Sequence, residues 1–127
     1  MLPTGIWKAN MNGIEMDLTI TSVDTNTGLI TGTLPVPPAG SPALPITGFW
    51  NEASQIINFT FLTNSKADFV GYLFSNSSNQ AGSDMKWTLS GYVIIGPNNA
   101  SFVVNGFATA NSHRSVFGWF AQFTQVI

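Results

Sequence analysis

The chain has 127 residues with four Lys or Arg, six Asp or Glu and no Cys, giving a formal net charge of −2 and a charged fraction of only 8%. Disulfides, thiol catalysis and Cys-type zinc sites are thereby excluded, and four scattered cations (Lys8, Lys66, Lys86, Arg114) cannot neutralise a run of phosphates, which argues against nucleic-acid binding. At 44% hydrophobic the chain is rich enough for one folded domain over residues 1–127, while its apolar stretches are too short to span a bilayer.

Gly5-Ile6-Trp7 near the start reads as a strand, not as the basic and apolar regions of a signal peptide. A cytoplasmic location is expected if the chain is complete, and a secreted one if a leader has been trimmed. Ile14 to Val23 alternates apolar and polar residues, the pattern of a strand with one face in a core, and Asp24-Thr25-Asn26-Thr27-Gly28 turns it into a partner over Leu29 to Leu34. Pro35 to Pro42 is proline-rich and cannot donate ladder hydrogen bonds, so it is a loop. Strands follow over Leu44 to Trp50, Gln55 to Thr63, Asp68 to Ser75, Met85 to Ile95, Ser101 to Phe107 and Arg114 to Phe123, each bounded by Asn, Ser, Gly or Pro.

No segment sustains a helical period. Eight or nine short strands imply an all-β domain, read as a small up-and-down antiparallel barrel with a β-sandwich as the alternative. Glycines closely followed by aromatics favour the barrel: Gly5 with Trp7, Gly48 with Phe49, Gly71 with Tyr72, Gly91 with Tyr92, Gly106 with Phe107 and Gly118 with Trp119. Such glycines suit sharply coiled strands whose gaps a nearby ring covers. The strands over Leu89–Ile95 and Val116–Ala121 carry apolar residues at both parities, which would put hydrophobic groups outside a barrel as well as inside. Self-association as a homodimer or tetramer is expected from this.

Catalytic sets are incomplete. His113 is the one histidine and sits beside Arg114 in a polar turn with no nucleophile or orienting carboxylate in its motif. Glu15 and Asp17 share a strand face, as do Asp84 and Lys86, but solvated faces and weak ion pairs explain both. Trp7 and Trp50 are read as core. Trp87 and Trp119, on strands with polar or small neighbours, are the candidates for lining a pocket or an interface.

Thr4-Gly5-Ile6-Trp7, Leu29-Ile30-Thr31-Gly32-Thr33, Pro45-Ile46-Thr47-Gly48-Phe49-Trp50, Gln55-Ile56-Ile57-Asn58-Phe59-Thr60, Val70-Gly71-Tyr72 and Met85-Lys86-Trp87-Thr88-Leu89 follow one another strand by strand. In that order they resemble the avidin and streptavidin family over about two-thirds of the chain, from Thr4 to Leu89. The resemblance implies an eight-stranded barrel that assembles as dimers or tetramers and holds its ligand at one open end. It puts Trp87, Phe69, Thr63, Ser65 and, with a one-residue shift, Asn10 at ligand-facing positions. Leu34 stands where the family has a ring-contacting tyrosine, Thr63 and Phe69 where it has tryptophans, Ala67 where it has threonine, and Gly13 where it has serine. Each polar partner lost from such a site costs roughly 1–3 kcal/mol, so biotin is expected to bind weakly or not at all.

The sequence therefore reads as a non-catalytic barrel that binds an apolar or mixed small ligand, or a peptide, with no metal and no cofactor. The alternative is a structural or toxin-like interaction module without a small-molecule site. A barrel cyclase or isomerase is a third reading.

Overall fold

The alternating segments pair in sequence because short turns return each strand beside the last. In the computed structural model, which describes residues 2–35, 42–62, 67–77, 85–96, 103–104, 107–108 and 115–125, the strands are β1 (Gly5–Met11), β2 (Ile14–Val23), β3 (Leu29–Pro35), β4 (Ala43–Asn51), β5 (Ile56–Phe61), β6 (Ala67–Ser77), β7 (Met85–Ile95), β8 (Val103–Val104), β9 (Phe107–Ala108) and β10 (Ser115–Gln125). Eight of them close an antiparallel barrel in the order β1-β10-β7-β6-β5-β4-β3-β2. This is the expected up-and-down barrel.

Two local features set its register. Asn12 and Gly13 both have positive φ, so they form the tight two-residue turn that places Met11 opposite Ile14. In β2 the pairing with β3 shifts between Ile20 and Ser22, a bulge that keeps Val23 opposite inward Ile30 although it lies three residues beyond inward Ile20. The alternation read along Ile14–Val23 is thus continuous in sequence but interrupted in space.

The strand expected over Ser101–Phe107 does not join the barrel. Its described residues Val103–Val104 pair with Phe107–Ala108 in a separate two-stranded sheet. The reason is that β7 is already paired on both sides, with β6 and with all of β10.

Inward positions are apolar on every barrel strand, and they form one buried cluster that includes Trp7, Leu18, Ile30, Leu34, Ile57, Phe59, Phe69, Leu89 and Trp119. Glycine makes room for the largest of these side chains. Gly71 of β6, Gly91 of β7 and Trp119 of β10 lie in one register row, and a methyl group placed on Gly71 would come within 2.8 Å of the Trp119 indole. The covering ring therefore comes from a strand two places away, not from the residue beside the glycine as the sequence pairing suggested. Gly5 is covered likewise, by Phe123 of the neighbouring strand.

A methyl group on Gly91 would sit 1.9 Å from the Val70 carbonyl oxygen, whereas one on Gly118 meets nothing nearer than 3.9 Å. Gly91→Ala is expected to lower stability by about 1–3 kcal/mol through forced backbone shifts. Gly118→Ala should change it by less than about 0.5 kcal/mol. Urea unfolding of the two variants checks this contrast.

Candidate functional site

The inward residues expected to line a pocket pack against other side chains. Trp87 of β7 is half-buried and packs against the core, in register with Phe123 of β10. Phe123 in turn meets the Trp7 ring at 5.3 Å, while Leu34, toward the other end of the barrel, is fully buried. Deeper in, Phe69 stacks on Phe59 at 4.6 Å with rings 6° from parallel, and both meet Trp119 edge-on, at 6.3 and 5.8 Å. The Trp119 indole Nε1 donates to the Tyr92 carbonyl oxygen at 3.0 Å, so its polar atom is satisfied within the barrel wall.

Of the residues singled out from sequence, Phe69 and Trp119 are brought together, but as mutual packing partners in the core. Trp87 lies in another layer. Asn10 is on the outside of β1, where its Oδ1 accepts the Gly13 N–H at 2.9 Å and helps hold the β1–β2 turn. Thr63, Ser65, Asp84 and His113 lie outside the described residues. Trp7 and Trp50 are buried, as expected of core residues.

The unusual surface is on the outer wall. Phe49, Tyr72, Phe74, Tyr92 and Phe120 point outward from β4, β6, β7 and β10 and are each 37% to 60% exposed, with Leu29 and Val116 beside them. Register places them in adjoining rows: Phe49, Asn58, Val70 and Tyr92 across β4 to β7 in one, and Ile56, Tyr72, Ser90 and Phe120 across β5, β6, β7 and β10 in the next. The first row borders a hollow of about 540 Å³, walled by Phe49, Val70, Tyr92 and Ile94 with Thr47, Asn58 and Thr60 between them and Asp68 at the rim. Sequence reasoning found the outward apolar character of β7 and β10 by parity but missed Phe49, Tyr72 and Phe74. The signal was present, since Phe49 shares its parity with Thr47 and Asn51, and β6, like β7 and β10, carries apolar residues at both parities.

The surface of β1 and β2, which adjoins the aromatic one at Phe120 of β10, is charged. Lys8 Nζ and Asp17 Oδ1 pair at 2.9 Å, well exposed, and with Asn10, Glu15 and Gln122 they border a second hollow of about 670 Å³. Exposed pairs of this kind hold little energy, and among the described residues no group of three or more His, Cys, Asp or Glu is placed to hold a metal ion. At one end Trp50 Nε1 donates to the Glu52 carboxylate. Asp24 accepts the backbone N–H groups of Asn26 and Thr27 at 2.8 and 3.0 Å, and the Thr27 bond, then that of Asn26, hold its carboxyl below the ordinary 3.8.

The chain matches no family model, no curated protein and no solved structure. Among the described residues no helix is long and apolar enough to cross a membrane.

Two outcomes test this geometry. Because Trp119 is a core ring, Trp119→Ala should cost about 3–5 kcal/mol in urea unfolding, the range for removing a buried aromatic. Because the Asp24 carboxyl is lowered on folding, its ionised form stabilises the fold above the ordinary value, and that contribution disappears as pH falls through the lower folded value. The stability gap between the parent and Asp24→Asn should therefore be present near neutral pH and close below pH 3.8.

Proposed function

We propose that this chain is a non-catalytic barrel that works through its outer wall, as an interaction and assembly module whose interior serves stability. The observation that carries the reading is a reversal of the usual arrangement of a ligand-binding barrel. Inward positions are mostly packed apolar side chains, while five aromatic residues stand outward on β4, β6, β7 and β10. A binding barrel keeps an interior space with a few convergent polar groups to orient its ligand. Here the residues that would line that space, Phe69 and Trp119, are in contact with each other and with Phe59.

Surface placement of large rings points the other way. Aromatic residues dominate protein contact surfaces, and a contiguous apolar wall of this kind marks a partner site. The expected self-association belongs within this reading. So does the absence of a proposed catalytic role, since no nucleophile, base and orienting group converge on the wall or in the core among the described residues.

Titration calorimetry with biotin tests the reading. No heat above dilution is expected, because Leu34, Phe59, Phe69 and Trp119 occupy the interior. A submicromolar dissociation constant, worth more than about 8 kcal/mol, would require the interior to open and would overturn it.

A further inference from the structure

The aromatic wall has an internal symmetry of its own. Along β6 and β7 the register pairs Asp68 with Ile94, Val70 with Tyr92, Tyr72 with Ser90, Phe74 with Thr88, and Asn76 with Lys86. Asp68 and Lys86 thus bracket the stretch at opposite ends, each four residues from the level of Tyr72 and Ser90. At a strand rise of roughly 3.3 Å per residue they stand about 13 Å to either side of that level. Between them the outward positions of these two strands carry no charge.

Taking the wall as the working surface, we infer that its partner is a second copy of this chain, docked face to face about a two-fold axis. The axis lies in the contact plane and crosses β6 and β7 at the level of Tyr72 and Ser90. This operation reverses position along the strands, so it brings each Asp68 to the level of the partner's Lys86, and each Lys86 to the level of the partner's Asp68. Phe74, 59% exposed, is carried to the level of Val70 and Tyr92, where the 540 Å³ hollow begins. Tyr72 and Phe120, both level with Ser90, each meet their own counterpart. The wall is then complementary to itself in charge and in relief, which is the condition for an isologous contact.

The area is of the right order. The four aromatic side chains on β6, β7 and β10, Tyr72, Phe74, Tyr92 and Phe120, are exposed between 37% and 59% and leave roughly 350 Å² of apolar surface in water, taking about 200 Å² for each complete side chain. That lies within what monomers expose in one patch, roughly 300–600 Å². A stable contact buries about 800 Å² per partner, and Val70, Ile94, Val116 and the Thr and Ser residues between the rings supply the remainder. With a net charge of −2, two copies repel each other weakly.

Charge exchange, read by light scattering coupled to size-exclusion chromatography, tests the inference. The parent chain is expected at twice its 13.6 kDa mass at micromolar concentration. Asp68→Lys and Lys86→Glu should each weaken dimerisation by roughly tenfold or more, since each places like charges together at two symmetric points. The double variant should recover the parent mass, a rescue that a general loss of solubility or folding would not give. Phe74→Lys should leave the chain monomeric with an unchanged circular dichroism spectrum, because its side chain takes no part in the core. A mass of 13.6 kDa for the parent overturns the inference while leaving the outer-wall reading to the biotin titration. A dimer indifferent to both single reversals, or one that the double variant fails to restore, overturns the two-fold placement.

Discussion

One aromatic residue, laid over a glycine two strands away, governs the interior. Trp119 lies inward from β10, and the rings that meet it edge-on come from β5 and β6. The indole can lie in that position because Gly71, in its register row two strands away, presents no side chain. Small neighbours at Ala9 and Ala121, both fully buried, leave further room. A barrel of eight strands has a narrow interior, and a single large ring spanning several strands fills it more completely than several medium residues could. Closure and filling are therefore one problem, solved by the same few positions.

Filling the interior this way leaves the remaining large rings on the outside. The Trp119 indole donates to the backbone of Tyr92, whose own side chain stands on the outer wall. Core and wall are thus two faces of one strand row, and the wall is backed by a packed interior. On the proposed reading, a surface held this firmly would need little ordering on contact, so more of the energy from burying its rings would be retained as affinity.

The barrel was legible in the sequence because its signals are local. Alternation along Ile14–Val23, the turn at Asp24–Gly28 and the breaks at Asn51–Ser54 and Gly96 each act within a few residues, and together they imply consecutive antiparallel strands. Strand pairing across the seam and the exclusion of Val103–Val104 were not legible, since both depend on which edge of β7 is free once distant segments have folded. The contacts of the candidate residues were not legible for a related reason. Resemblance at Trp87, Phe69 and Asn10 carried positions but not the space between side chains. That space is decided by Trp7, Phe123 and Trp119 reaching over from neighbouring strands. Outward Phe49 could have been found by asking which apolar residues break their own strand's parity, and Tyr72 and Phe74 by noting that β6 is apolar at both parities.

The seam itself has a consequence for how the chain is made. Its two sides are β1 and β10, the first and last strands, with Lys8 opposite Gln122 and Met11 opposite Trp119. The six pairings from β1–β2 to β6–β7 can form while the chain is still emerging, but β1 and β7 each keep an open edge until the final strand of the barrel is complete. Long-range pairings of this kind form slowly, and an unpaired edge beside exposed aromatic surface is a template for mispairing. The vulnerable period for this protein is thus the interval between synthesis of β7 and arrival of β10, when the core also lacks Trp119. Chaperone dependence during expression should track that interval more closely than it tracks the stability of the finished barrel.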